Sequence, residues 1–555
     1  MIITNYFKRF GVLVFIGVLI NAGTVSAQNL PDSTVARVDK LFARWKTNEQ
    51  PGCVAGIVIN DRLVYNKGFG LANLETGAFN TPETNYYMCS VSKQFTGNAI
   101  AWLVAQGKIN LDADIHTYLP KLKDFGAKIT VGDLLHHTSG IRDDIYLAQF
   151  YGLNLDGMLT QDAAMKILYR QHTLNFEPGQ KFSYSNSNYV LLAEIVKEVS
   201  GRPFSKFVDS VIFKPLAIKS AGFIDDPAKL IPGRASSYTK EGDVWKNSVH
   251  NVYTMGDGGL FINAIDMAKW VANFWPADSM RKKVIGLMTT PGKLADGKPI
   301  TYAMGIDVNT HREQKRLIHN GGLAGYRTML IVYPELKMGF FVFGNGADRE
   351  VPNMAYQMAD MFVPQKAESI TRPAATVAPA PITIDSVLLK KFAGDYISAN
   401  GFRLDITLKN GHLFIGKAME LAATTNALFY AVSNPALKLE FSTTGLKFSS
   451  PVVAQPIFLK KAGPDPKGDK QLADYLGTYY SDELDFSFTI KKEGNKTILT
   501  NPRLGTSDIK FKGTEHLLTN LEAAGHLLVR RDEKNRIIGF DVNNGDLMNL
   551  FFKKQ

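Results

Sequence analysis

Three short runs of this chain carry residue types that can form and break an acyl bond. The first is Ser90-Val91-Ser92-Lys93. A serine and a lysine three residues apart on a helix share a face, about one turn from each other. The lysine can draw the proton from the serine hydroxyl, provided its amine is neutral. A serine at the helix start also sits where the backbone dipole favours a developing negative charge. Three further Ser-x-x-Lys pairs occur, Ser237/Lys240, Ser279/Lys282 and Ser507/Lys510. Context sets Ser90 apart, because it alone follows a short apolar run at residues 86–89 and opens a strongly periodic helix.

The second run is Tyr184-Ser185-Asn186, the only Tyr-x-Asn in the chain. A phenol beside a lysine can shuttle protons, and an asparagine amide can hydrogen-bond both Lys93 and a substrate amide. The competing reading is a tyrosine that packs and an asparagine that caps a helix. The third run is His319-Asn320-Gly321-Gly322, the only His-x-Gly. Two glycines at a strand let a substrate backbone come close, and one amide there, paired with that of Ser90, would form an oxyanion hole. The competing reading is a tight turn with an incidental histidine.

These runs need elements to hold them. Residues 54–59 and 63–65 are short β-rich runs around Asn60-Asp61 and predict a hairpin. Residues 92–106 predict a helix with Phe95, Ile100, Leu103 and Val104 on its apolar face and a stop at Gly107. A second helix over 189–199 turns Val190, Leu191, Ile195 and Val199 inward and ends at Gly201-Arg202-Pro203. Residues 329–333 and 339–343 predict two late strands of the same sheet. Strands at both ends with helices between predict an α+β domain, closed by pairing its first and last strands.

The three runs, in this order, resemble the penicillin-recognising serine hydrolases: class C β-lactamases, D-alanyl-D-alanine carboxypeptidases, D-aminopeptidases and β-lactamase-like esterases. The resemblance extends from about Pro51 to Asn345. It includes Leu134-Leu135-His136-His137-Thr138-Ser139-Gly140, Gly258-Gly259-Leu260 with Asp266, and Gly325-Tyr326-Arg327. It implies a β-lactamase-like (transpeptidase-like) domain with an antiparallel sheet and a helical region. It implies Ser90 as acylated nucleophile, Lys93 and Tyr184 as the general-base pair, and Asn186 as a substrate contact. His319 stands where the family usually has the lysine of Lys-Thr-Gly, and the implied oxyanion hole is the amides of Ser90 and Gly322. Tyr-Ser-Asn in place of Ser-Asp-Asn points to the class C-like branch. A histidine, largely neutral at pH 7, would hold a substrate carboxylate less firmly than lysine, with Arg327 as a stand-in charge. The leading expectation is a peptidase on D-amino-acid-containing peptides. An esterase of small acyl esters, a β-lactamase and a non-catalytic penicillin-binding sensor are the alternatives. No cofactor is implied. His136 and His137 invite a metal reading, yet no third ligand stands at the right spacing, so a structural role in their loop is expected.

Composition bounds the rest. The 555 residues suggest more than one domain. With 45% hydrophobic and 21% charged residues, a wholly disordered chain, a collagen and a coiled coil are excluded. The net charge of +11 is spread thinly, without a basic block or zinc-finger spacing, so nucleic acid is not an expected partner. Lys8 and Arg9, an apolar run over 10–20 and Val25-Ser26-Ala27 read as a secretory signal peptide at residues 1–27. That predicts an exported protein, periplasmic or extracellular, with no membrane-spanning segment after cleavage. Cys53 and Cys89 are either a disulfide or two buried small side chains.

Residues 28–363 form the expected hydrolase domain and 364–381 a Pro/Ala linker. Residues 382–555 alternate short β runs with turns, at 402–408, 413–415, 486–490, 496–499 and 537–542. This all-β, barrel-like region repeats itself over 388–463 and 471–555. Phe392-Ala393-Gly394-Asp395-Tyr396 resembles Tyr475-Leu476-Gly477-Thr478-Tyr479. Ile457-Phe458-Leu459-Lys460-Lys461 resembles Leu550-Phe551-Phe552-Lys553-Lys554. The copies predict either two small barrels or two halves of one. D-aminopeptidases carry similar lipocalin-like domains, which implies a tail that narrows the cleft or assembles oligomers.

Overall fold

The computed structural model describes residues 30–45, 49–153, 157–365, 381–398, 402–416, 418–450, 456–466 and 468–555. The expected signal peptide and nearly all of the expected linker lie outside these residues. Six antiparallel strands form the main sheet: β1 (Cys53–Ile59), β2 (Arg62–Phe69), β3 (Asp307–His311), β4 (Gln314–Leu323), β5 (Tyr326–Tyr333) and β6 (Met338–Gly344), in the order β3-β4-β5-β6-β1-β2. The first strand pairs the last over seven residues, Cys53↔Gly344 to Ile59↔Met338, as the strands at the two ends of the domain predicted. Asn60 and Asp61 turn the first hairpin with φ of 49° and 65°, the left-handed pair that matches strand twist.

Period-two alternation buries both faces of the sheet. Cys53, Ala55, Ile57, Met329, Ile331, Phe340 and Val342 point to one side, against α1 (Asp32–Leu41) and a helix over Val351–Phe362. Val54, Val58, Leu330, Val332, Phe341 and Phe343 point to the other. They belong to the same hydrophobic core as α2 (Lys93–Ala105) and α3 (Asn186–Ser200), the helices that carry the site. Gly201, at φ 65°, ends α3 and returns its N–H to Lys197 O at 2.9 Å. Cys53 and Cys89 lie on opposite faces of the sheet and are both free thiols.

The C-terminal region is two separate β units. The first is a closed up-and-down barrel of eight strands, Gly394–Ser398 through Ile457–Lys461, with its own core. The second is a nine-stranded sheet whose two edges, Gly505–Asp508 and Lys510–Lys512, are separated in the chain only by Ile509. The chain therefore carries the sheet round on itself. This second unit merges with the helical region: Phe150 lies 5.6, 6.1 and 5.9 Å from the rings of Phe486, Phe488 and Phe552. No helix among the described residues is long and apolar enough to cross a membrane.

A buried histidine is expected to make the fold more acid-sensitive. His250 packs against Tyr87 and Tyr253, ring centroids 4.3 and 4.6 Å away. Neither of its ring nitrogens finds a partner among the described residues. Burial, helped by Arg234, pushes it down from 6.5 to about 3. The unfolded chain then binds the extra proton first, so this contribution to stability falls as pH drops from 6.5 towards 3. Replacing His250 with phenylalanine should remove it. Thermal melting of His250→Phe should fall less between pH 7 and pH 4.5 than that of the parent.

Candidate active site

Ser90 sits in a tight turn, Cys89–Ser92, immediately before α2. The turn is fixed from several sides. Met88 N donates to Leu260 O at 2.8 Å, and Thr328 Oγ1 on β5 donates to Met88 O at 2.9 Å. Cys89 is held in the left-handed region at φ 50°, a conformation that surrounding structure must impose on a side chain with Cβ. Gly321 on β4 closes over the turn. A Cβ there would meet Thr328 Oγ1 at 2.6 Å, and Cys89 Cβ and Met88 O at 2.7 Å. Only glycine lets β4 come this near.

Lys93, one turn further on, is 0% exposed. Its Nζ donates to Asn186 Oδ1 at 2.8 Å and to the Asp257 carbonyl at 2.8 Å, and lies 3.2 Å from Ser90 Oγ. Asn186 is the first residue of α3, and Asp143 fixes the sense of its amide. The Oδ2 of Asp143 accepts from Asn186 N at 2.6 Å and Nδ2 at 2.9 Å, so Asn186 Oδ1 must face Lys93. The other oxygen, Oδ1, caps the helix Asp144–Gln149 through Ile145 N and Tyr146 N. Burial pushes the Asp143 carboxyl up; these N–H donors and Lys93 hold it down. Asp144 is raised much further by burial, with Asp143 and Asp257 adding to the effect.

Tyr184 stands over the amine, with Lys93 Nζ 4.8 Å from its ring centroid. Its Oη is buried with no partner among the described residues. The ring packs on His137 at 4.3 Å. His137 Nδ1 accepts from Ser185 N at 3.2 Å and Asn188 Nδ2 at 3.1 Å, which orients the start of α3. His136 donates through Nδ1 to Tyr302 O at 3.1 Å. Among the described residues no group of three His, Cys, Asp or Glu is placed to hold a metal.

The third run lies inside β4, just ahead of the late strand pair β5 and β6. Pairing with β3 stops at Ile318, so residues 319–323 have an outer edge without a strand among the described residues. Gly322 is exposed on this stretch, whereas Gly321 is buried in the packing described above. His319 is 7% exposed. Its Nδ1 lies 2.7 Å from Asn320 O, an acceptor only, so Nδ1 carries the hydrogen. Its Nε2 then accepts from the Tyr302 hydroxyl at 2.8 Å. Burial, then Lys93, pushes His319 down from 6.5 to about 3. The ring is neutral and both nitrogens are occupied. Arg327, paired across from Gly322, bends back to donate to Ala324 O and Tyr326 O.

Ser90, Lys93, Tyr184, Asn186 and His319 thus meet in one cluster beside the open edge of β4. It is a place where a hydroxyl can pass its proton to an amine or a phenol. The sequence reading missed Asp143, Tyr302 and the Asp257 carbonyl. Asp143 carries an ordinary helix-cap signal, and Tyr302 carries none. The Gly321→Ala variant tests how tightly the turn is held. Its Cβ must push β4 off the Ser90 turn, and a displacement near 1 Å can cost about a hundredfold in rate. We expect Ser90 labelling by a fluorophosphonate to slow at least about tenfold and the melting temperature to fall.

The Beta-lactamase family model matches residues 38–361. A D-aminopeptidase of Gluconobacter oxydans is 27% identical over 341 residues, covering 61% of this chain and 63% of the relative. A D-aminopeptidase of Brucella canis is 30% identical over 283 residues, covering 50% and 53%. The chain therefore matches only about half to three fifths of these relatives' length. The octameric penicillin-binding protein homologue from Pyrococcus abyssi shares the fold, with a TM-score of 0.53 at 23% identity, over 77% of this chain and 99% of that one. With more than half its length matched by the family model, the chain belongs to the Beta-lactamase family.

Proposed function

We propose that this protein is an exported serine hydrolase that acylates Ser90 and cleaves amide bonds of peptides containing D-amino acids. The observation that carries the reading is the Lys93 network. A neutral amine has two N–H donors and one lone pair. Asn186 Oδ1 and the Asp257 carbonyl, each 2.8 Å away, take the two donors. The remaining position on Nζ faces Ser90 Oγ at 3.2 Å, and can take its proton when that position holds a lone pair. Ser90 Oγ attacks the amide carbonyl, and its proton passes by way of Lys93 or Tyr184 to the leaving amine. Water then attacks the acyl-Ser90 ester, giving up its proton along the same route and releasing the acid. Gly322, exposed on the stretch of β4 whose Gly321 packs on the Ser90 turn, suits the second donor of an oxyanion hole, the first being the amide of Ser90.

His319 bears on which end of a peptide is bound. A neutral imidazole with both nitrogens engaged offers no charge to a substrate's carboxylate. Arg327 is turned to its own hairpin. That favours cleavage after an N-terminal residue over removal of a C-terminal one, and it agrees with the D-aminopeptidase relatives.

The test is hydrolysis of D-alanine p-nitroanilide and its L-enantiomer by the full chain, with benzylpenicillin as competitor. The D-anilide should turn over at least about tenfold faster than the L-anilide. Ser90→Ala should lower kcat by about 10⁴ or more. Activity surviving in Ser90→Ala, or benzylpenicillin turned over faster than the D-anilide, would overturn the reading. Export rests on the basic, apolar and small-residue order of residues 8–27. N-terminal sequencing of secreted protein should then begin at Gln28.

A further inference from the structure

One charge pair is buried where the second β unit meets the helical region. Arg142 is 1% and Glu483 3% exposed. Arg142 Nη1 donates to Glu483 Oε2 at 2.8 Å and to Thr173 O at 2.8 Å. Its Nη2 donates to Thr173 Oγ1 at 2.7 Å and Asn549 O at 2.8 Å, and its Nε to Met548 O at 2.9 Å. All five guanidinium N–H groups are thereby used. Glu483 Oε1 accepts from His172 N at 3.1 Å, Thr173 N at 2.8 Å and Thr173 Oγ1 at 2.7 Å. Two charges taken out of water need this degree of completion to be tolerated at all. Asn175 repeats the link, donating to Asp546 O at 2.6 Å and accepting from Met548 N at 2.8 Å.

The residue after Arg142 is Asp143, which orients Asn186. The carbonyl of Arg142 itself accepts from Ser187 Oγ at 2.6 Å, next to Asn186. The guanidinium and the amide-orienting carboxylate are therefore adjacent on one backbone, each tied at both ends.

We propose that Glu483 and Arg142 are positioning residues for the catalytic site. In this arrangement the second β unit holds the Arg142-Asp143 backbone, which holds the Asn186 amide and so aims Lys93 Nζ at Ser90. This rests on the function proposed above. Glu483 touches no substrate; it acts through Arg142, Asp143 and Asn186.

The experiment is a double-mutant cycle on the full chain, with Glu483→Gln and Asp143→Asn. Glutamine keeps the shape of Glu483 but turns an NH2 group towards either Arg142 or the donors at His172 and Thr173. We expect kcat for the D-anilide to fall about ten- to a hundredfold while KM changes less than about threefold. The double variant should be no slower than the slower single one, because both changes loosen the same amide. The rate of Ser90 labelling by a fluorophosphonate should fall with kcat, a readout independent of substrate class. Thr173→Val removes the hydroxyl shared by Arg142 and Glu483 with little change of volume. It should move kcat the same way by a smaller factor, and it takes the place of Glu483→Gln in the cycle if that variant does not fold. Asp482→Asn, which alters an exposed contact to His172 at the same interface, should leave kcat unchanged.

Unchanged kcat and labelling in a folded Glu483 or Thr173 variant would overturn the proposal. So would losses that simply multiply in the double variant, or an equal loss in Asp482→Asn. If Ser90→Ala remains active, the proposed function itself has failed. If Ser90→Ala is dead and the cycle shows no coupling, only the positioning role has.

Discussion

An amine with no exposed surface needs an acceptor for every hydrogen it carries, and at Lys93 that requirement organises the site. Desolvating a charged or polar head without partners costs far more than any single contact returns. The oxygens that meet Lys93 come from three distant segments: the Ser90 turn, the start of α3, and the loop before Leu260. Satisfying one side chain therefore brings together pieces of chain that share no local reason to meet. The loop can come close because of its glycines. A Cβ at Gly258 would run into the Tyr87 hydroxyl, and one at Gly256 into the backbone of Tyr189. Thr96 on α2 pins the same loop by donating to Gly256 O at 2.8 Å.

What could be read from the sequence follows the range of the interactions. Ser90 and Lys93 are three residues apart, so helix geometry alone places them together. Hairpin chemistry at Asn60-Asp61 and the alternation in β5 and β6 are equally local. The partners of Asn186 and His319 are 43 and 17 residues away and leave no periodic trace. Asp143 therefore looked like any helix cap, and Tyr302 like any buried aromatic. The predicted helix over 92–106 begins instead as a tight turn followed by Lys93–Ala105. Cys89, left-handed at φ 50°, is where the chain is bent into it. Whether Cys53 and Cys89 could bridge was open in the sequence. It is decided by the pleat of β1, which turns Cys53 to the face opposite the Ser90 turn.

The internal repeat of the tail was legible because its matching residues do matching work. Tyr396 donates to Phe392 O at 2.9 Å, and Tyr479 donates to Tyr475 O at 2.7 Å. Tyr396 pairs across its sheet with Lys461, as Tyr479 does with Lys554. Each lysine lies 5.9 Å from its tyrosine ring centroid. Gly394 and Gly477 sit under the two lysines at φ 145° and 138°. These contacts join the first strand of each copy to its last.

The repeat says nothing about what fills each unit, and there the copies part. In the first, Phe392 from the unit's own entry helix stacks on Phe441 with ring centroids 4.3 Å apart. In the second, Phe150 from the helical region enters among Phe486, Phe488 and Phe552. The second unit and the helical region therefore share one hydrophobic core. The first unit has a core of its own and reaches the second through contacts such as Lys512 with Asp395 at 2.5 Å. Such a partly exposed ion pair contributes little. Disturbing the second unit therefore strains the ground on which Asp143 and Asn186 stand, whereas the first can shift with little effect at Ser90. The two units repeat the same closing contacts but differ in mechanical standing, because Phe150, the Arg142–Glu483 pair and Asn175 all tie the second unit to the helical region.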